Sequence, residues 1–206
     1  MTQNRTMTTT IDAVIFDIGG VLVQTHDLEP RRRWERLLGL PDWGLSDAVF
    51  GSEASREAFV GRADADDVWR SVAERFGLDD AQRAQVEQDF WAGDVVHERW
   101  ITDIAALQQR MPTAILSNAW RDMSLRDRRR IDMSGFTCVT YSWEEGVRKP
   151  DAAIYERTLE RLGIRDASRA LFIDDFVENV EAARGVGLRA VRYLPGMELA
   201  PQLIIS

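Results

Sequence analysis

Four places in the chain carry residue types that together could transfer a phosphoryl group. Residues 13–23, AVIFDIGGVLV, form an apolar run that reaches an acid, Asp17, and then breaks into two glycines. TAILSN at 113–118 reaches Ser117 and Asn118, and ALFIDD at 170–175 reaches Asp174 and Asp175. The run FTCVTYS at 136–142 is followed by Arg148, Lys149 and Pro150. These supply a carboxylate nucleophile, a hydroxyl donor, a cation and a paired acid. A carboxylate and a phosphate repel each other, so transfer through an aspartyl-phosphate needs Lys149 and Mg²⁺ to bring the two anions together. Each position also has a plainer reading. Asp17 with its glycines could be a tight turn, Ser117 and Asp175 could be helix caps, and Lys149 could be an exposed residue before a helix opened by Pro150. Those readings do not explain why all four stand at the ends of similar runs.

Positioning these residues requires a parallel sheet. The runs 13–17, 113–118 and 170–175, with RAVRYL at 189–194, are short, apolar and bounded like strands buried on both faces. FTCVTYS, rich in β-branched and aromatic residues, is a fifth strand. PDAAIYERTLERLGI (150–164) places Ile154, Leu159 and Leu162 on one helical face and ends at Gly163. Strand and helix thus alternate through the second half, which predicts an α/β Rossmann-like core whose strand ends open into one crevice. Residues 24–111 show helical patterns instead, at 29–38, 52–60, 64–76, 79–91 and 97–110, separated by LGLPDWG, GRAD and AGD. The expected organisation is a disordered N-terminus over 1–10, a core formed by 11–23 and 112–206, and a helical cap over 24–111.

Composition narrows the chemistry. A net charge of −8 across 206 residues argues against a nucleic-acid partner. One cysteine, Cys138, cannot form an internal disulfide, and His26 and His97 are too few for a Cys/His zinc cluster. Any metal should be a hard cation held by carboxylates. No apolar run approaches a membrane span or a signal peptide, so the expectation is a cytoplasmic protein with no membrane partner and a small-molecule substrate. Oligomeric state is left open.

The motifs FDIGGVLV, LSN, GVRKPDAAIY and LFIDDFVENVEAARGVG, in this order and spacing, resemble the haloacid dehalogenase superfamily in its subgroup with a helical cap after the first strand. The resemblance spans Ile11 to Leu194. It implies that Asp17 is the nucleophile, that Ser117, Asn118 and Lys149 hold the phosphoryl group, and that Asp17, the Gly19 carbonyl, Asp174 and Asp175 bind Mg²⁺. Asn179 is implied as a supporting hydrogen bonder. Dehalogenases of this superfamily need no metal and replace the terminal acid pair with uncharged residues, whereas IDDFVEN retains both carboxylates. The resemblance therefore favours a Mg²⁺-dependent phosphatase acting on a small phosphorylated metabolite such as a sugar phosphate. The alternatives are a phospholigand-binding regulatory protein and a 2-haloacid dehalogenase.

Gly19 departs from that pattern. Phosphatases of the superfamily usually carry a second aspartate there as acid and base, although a subset resembling sugar-1-phosphate phosphatases begins Asp-x-Gly. Thr25, His26 and Asp27 are the nearby substitutes in sequence. Tyr155 reads as a core aromatic, RDMSLRDRRR (121–130) as a solvated face balanced by Asp122 and Asp127, and Trp34, Trp69, Trp91 and Trp100 as packing within the cap. Arg62 could reach the remote end of a substrate.

Overall fold

A computed structural model describes residues 10–202. The disorder expected over 1–10 falls, apart from Thr10, outside the described residues. In chain order the elements are β1 (Ala13–Phe16), β2 (Val23–Thr25), α1 (Glu29–Leu38), α2 (Gly44–Phe50), α3 (Glu53–Ala58), α4 (Ala65–Phe76), α5 (Asp80–Ala92), β3 (Asp94–Val96) and α6 (Glu98–Gln108). The second half adds β4 (Thr113–Ser117), α7 (Arg121–Arg130), β5 (Cys138–Tyr141), α8 (Ser142–Glu145), α9 (Ala152–Leu162), β6 (Ala170–Asp174), α10 (Val177–Gly185), β7 (Arg189–Arg192) and α11 (Leu199–Gln202).

Five strands pair in parallel in the order β5-β4-β1-β6-β7, giving the α/β Rossmann-like sheet that the alternation predicts. Period-two alternation sends β1 side chains to opposite faces. Val14 and Phe16 join Ile115, Leu171 and Ile173 on one face, while Ala13 and Ile15 join Ala114, Leu116 and Phe172 on the other. Helices α9 and α10 cover the second face through Ile154, Tyr155, Leu159, Val180 and Ala183. Burial on both faces explains why these strands are uniformly apolar, each large side chain contributing about 1.5–3 kcal/mol. Strand order reverses between β1 and β6, and that reversal opens a crevice at their carboxyl ends.

Helix α6 covers the first face. The expectation placed residues 97–110 with the cap and Trp100 among its helices; instead Trp100, Ile104 and Leu107 form an i, i+4, i+7 stripe against the sheet. Trp100 meets Phe16 and Tyr193 edge-on and donates from Nε1 to the Met197 carbonyl at 3.1 Å.

Between β2 and β3, helices α1 to α5 form a unit with its own core, built around Trp34, Leu45, Val49, Phe59, Trp69, Val72 and Phe90. Asp64 and Asp79 cap α4 and α5 reciprocally, which fixes where each begins. Two features of this region escaped the sequence reading. Residues 23–25 and 94–96 pair as an antiparallel ribbon, Val23 opposite Val96 and Thr25 opposite Asp94, too short to show an alternation. Helix α2 begins at Gly44, inside a PDWG stretch whose composition reads as a turn, with Trp43 holding a left-handed φ of 69°.

The arginine-rich helix α7 is the solvated face expected only in part: Arg121, Asp122, Arg128 and Arg129 are exposed, but the other side is packed. Asp127 is buried, Arg126 lies over the Trp91 ring and Arg128 over Tyr141, and Arg130 donates to the Asp94 carbonyl at 2.5 Å. Among the described residues no helix is long and apolar enough to cross a membrane.

Candidate active site

The sheet register brings the acids together. Phe16 pairs with Ile115 on one side and Ile173 on the other, so Asp17 stands level with Leu116 and Asp174, and Ser117 follows one residue on. Asp17 N donates to the Ile173 carbonyl at 2.9 Å, extending the ladder to the nucleophile position, and Ile18 N donates to Asp17 Oδ1 at 2.7 Å. Lys149 reaches in from the loop after α8. Its Nζ lies 2.9 Å from Asp17 Oδ1 and 2.6 Å from Asp174 Oδ2. The plainer reading of Lys149 as an exposed residue fails, since it is 2% exposed. Nor do Ser117 or Asp175 cap helices: α7 and α10 have Trp120 and Phe176 at their caps, neither with a side-chain bond.

Asp174 is fully held. Its carboxylate accepts from Lys149, from Asn179 Nδ2 at 3.0 Å to each oxygen, and from Phe176 N at 2.8 Å. Asn179 is itself placed by Tyr155, whose hydroxyl donates to the Asn179 carbonyl at 2.9 Å while its ring packs against Phe172. Asn118, expected to bind phosphate, spends its side-chain amide on Lys149. Its Nδ2 donates to the Lys149 carbonyl at 2.9 Å, and its Oδ1 accepts from Lys149 N at 2.8 Å. The amide therefore orients the lysine backbone. Ser117 is buried at the end of β4, and none of the described residues hydrogen-bonds its hydroxyl.

Three carboxylates, on Asp17, Asp174 and Asp175, offer oxygens within 4.8 Å of one another. Asp175 Oδ1 is buried without a hydrogen-bond partner, an arrangement that costs free energy unless a cation meets it. The donors are hard oxygens, which suit Mg²⁺. Burial pushes the Asp17 carboxyl well above the usual carboxylate range, Lys149 opposes this, and Asp174 and Asp175 add to it. Burial likewise pushes Asp175 up to about 6, with Asp174 adding and Lys149 opposing. For Lys149, burial favours the neutral amine, but Asp17 and Asp174 outweigh it and raise the pKa. A bound cation would reverse the penalty on the acids.

The two glycines after Asp17 differ in kind. Gly20 has φ +75°, and a Cβ there would lie 2.1 Å from Asp175 Oδ2, so only glycine lets the loop approach the acid. Gly19 is exposed, lies outside the left-handed region, and a Cβ there would meet no atom within 4 Å. The substitutes proposed for the acid at position 19 are committed elsewhere or exposed. Thr25 Oγ1 donates to Asp94 Oδ1 at 2.6 Å, Asp27 Oδ1 accepts from Glu29 N at 2.9 Å, and His26 is exposed with its backbone bonded to the Gly93 carbonyl. Arg62 is exposed and pairs with Glu57.

Sequence reasoning missed Trp120 beside the site and, for Arg148, its contact with the insert. Trp120, two residues after Asn118, is buried among Phe50, Phe59 and Trp91 of the helical insert at centroid distances of 5.6–6.2 Å. Arg148, next to Lys149, lies 5.5 Å over the Phe59 ring. An aromatic between a strand end and a polar helix was the available signal for Trp120.

A family model described as haloacid dehalogenase-like hydrolase matches residues 11–187. The chain belongs to that family. The chain is similar in sequence to sesquiterpene phosphatase astK of Aspergillus oryzae, 26% identical over 195 residues, covering 88% of this chain and 89% of that protein. Among solved structures, a haloacid dehalogenase family enzyme of Bacteroides thetaiotaomicron in complex with magnesium and inorganic phosphate is similar with a TM-score of 0.76. It is 16% identical, with 93% of this chain and 98% of that one covered. L-2-haloacid dehalogenase of Xanthobacter autotrophicus, with chloropropionic acid covalently bound, has a TM-score of 0.63 at 23% identity, with 89% and 77% covered. The fold is thus common to both chemistries, and the site has to choose between them.

Proposed function

We propose that this hydrolase is a Mg²⁺-dependent phosphatase that acts on a small phosphorylated metabolite through an aspartyl-phosphate. The observation that carries the reading is the joint placement of Asp17, Lys149, Asp174 and Asp175, in which one buried cation holds two of three clustered carboxylates. Three converging hard oxygen donors, one of them buried without a partner, suit a divalent cation. The sesquiterpene phosphatase among the relatives supports the same choice.

In this reading Asp17 Oδ attacks phosphorus, and the bond to the leaving oxygen breaks. Lys149 and the Ser117 hydroxyl meet the phosphoryl oxygens, Asn118 fixes the lysine backbone, and Asn179 fixes Asp174. Asp17, Asp174, Asp175 and the Gly19 carbonyl would hold Mg²⁺, and its charge would offset the repulsion between the carboxylate and the phosphate. Helices α1 to α5 act as the cap. Because Asp17, Ser117 and Lys149 are all buried, the cap must open for the substrate and close to exclude water during transfer.

The test is phosphate release from a panel of phosphometabolites with Mg²⁺ and with EDTA, together with Asp17→Asn. The amide keeps the shape and removes the nucleophile, so turnover should vanish while the fold, read by circular dichroism, is retained. Wild-type protein quenched in acid should carry phosphate on Asp17. Undiminished hydrolysis by Asp17→Asn, or full activity in EDTA, refutes the assignment.

A further inference from the structure

We infer that Asp94 is a positioning residue that sets where helices α1 to α5 sit relative to the sheet, with Arg130 of the core as its anchor. The inference rests on the phosphatase reading for its kinetic consequence alone. Asp94 opens β3, at the second of the two crossings between insert and core, and its partners come from three separate parts of the chain. From the insert, Arg31 of α1 places Nη2 2.9 Å from Asp94 Oδ1 while its Nε donates to the Phe90 carbonyl of α5 at 2.6 Å. From the first crossing, Thr25 Oγ1 donates to the same Oδ1 at 2.6 Å. From the core, Arg130 Nη2 donates to the Asp94 carbonyl at 2.5 Å. The side chains of Arg31 and Asp94 are both more than nine-tenths buried, so solvent screens the pair little, and removing either partner leaves the other charge buried alone.

The two crossings are fastened to each other. Gly93 approaches the first crossing so closely that a Cβ would lie 1.8 Å from the Asp27 carbonyl oxygen, and its own carbonyl accepts from His26 N at 2.9 Å. Val23 stands opposite Val96, and Thr25 opposite Asp94. A shift of the insert therefore acts on the bonds that residue 94 makes. It also reaches the loop after the nucleophile, because Gly20 N donates to the carbonyl of Val23, the first residue of β2, at 2.8 Å.

Helix α7 is the part of the core against which this junction is braced. Arg130 stands in its last turn, Arg126 lies 4.9 Å over the ring of Trp91 on α5, and Trp120 at its N-cap packs against Phe50 and Phe59 of the insert. The bond from Arg130 separates this role from internal support of the insert, which α7 does not belong to.

Hydrogen exchange followed by mass spectrometry, with kcat and KM for 4-nitrophenyl phosphate and Mg²⁺, tests this on wild type, Asp94→Ala, Arg31→Met, the double variant and Arg130→Met. Each single variant should speed exchange about 10-fold or more over 57–62 and 118–124, the two sides of the seam, since a hydrogen bond to a charged group is worth at least that factor. Exchange over 68–73, inside the insert, and over 113–117, inside the sheet, should match wild type. The double variant should add nothing to Asp94→Ala, because both changes remove the same pair. KM should rise about 10-fold while kcat stays within about 3-fold, because the groups that meet the phosphoryl oxygens belong to the core. Should Asp94→Ala fold poorly, Arg130→Met, which leaves the Arg31–Asp94 pair in place, decides. Seam exchange equal to wild type in Arg130→Met, or acceleration spread evenly over insert and sheet, overturns the inference and leaves the phosphatase reading standing. Seam exchange that rises as expected in a protein that releases no phosphate from any phosphometabolite overturns the phosphatase reading and leaves the role of Asp94 standing.

Discussion

Replacing Lys149 with methionine removes the one cation from a buried cluster of three carboxylates and tests whether that cluster is held as the geometry indicates. Two bonds are lost, at 2.9 Å to Asp17 and 2.6 Å to Asp174. Bonds to charged groups are worth about 1.5–3 kcal/mol each, and removing one partner of a buried ion pair costs about 3–5 kcal/mol. A loss of about 3–5 kcal/mol at pH 8 follows. The loss should depend on pH with a definite sign. Burial already raises the pKa of Asp17 and takes that of Asp175 to about 6, and without Lys149 both rise further. An acid whose folded pKa exceeds its unfolded value stabilises the fold when protonated, and that stabilisation disappears as pH rises through the folded pKa. The variant should therefore recover as pH falls below about 6, whereas the wild type gains less because its lysine already supports the ionised acids. Urea denaturation in EDTA at pH 5.5 and pH 8 measures both. A loss under about 1 kcal/mol at pH 8, or the same loss at both pH values, would refute the reasoning.

Asp175→Ala should raise the Mg²⁺ concentration needed for half-maximal activity by about 10-fold or more, while Asp122→Ala, on the exposed face of α7, leaves it unchanged; titration of phosphate release against Mg²⁺ compares them. Asp127 is buried on α7, and burial raises its pKa from 3.8 to about 7, against the pull of Arg130 and Arg126. Its protonated form thus stabilises the fold below about pH 4, and the benefit is lost as pH rises through 7, with a ceiling of about 4 kcal/mol. Asp127→Asn should flatten melting temperature against pH between 4 and 7 and raise it at pH 8; an unchanged slope would show that Asp127 does not titrate abnormally.

Much of this arrangement was legible in the sequence because parallel strands buried on both faces leave a strong signature. AVIF, TAILS and ALFID are wholly buried as β1, β4 and β6; the last two end on Ser117 and Asp174, and β1 ends one residue before Asp17. What stayed hidden depends on partners distant in sequence. The β2–β3 ribbon pairs three residues with three others about seventy positions away, and α6 joins the sheet because the stripe through Trp100, Ile104 and Leu107 meets Phe16 and Tyr193. Periodicity announces such a stripe but not which surface receives it. Asp127 misled for a related reason. A charge among arginines reads as solvated, yet the helix turns that residue inward while Arg126 and Arg128 cover Trp91 and Tyr141.

The seam between insert and sheet is tied to the residues that form the site. Trp120 follows Ser117 and Asn118, and Arg148 precedes Lys149, yet both are packed against the aromatic cluster of the insert. Gly61 of the insert also approaches the core backbone so closely that a Cβ would lie 2.4 Å from the Trp143 carbonyl oxygen. Fully uncovering a tryptophan exposes about 150–250 Å², which at about 25 cal/mol per Å² costs about 4–6 kcal/mol. A complete separation of the two units would then be populated at only about one part in 10³ to 10⁴. The same packing holds the segments carrying Ser117 and Lys149 in register, and loosening the seam disturbs both at once.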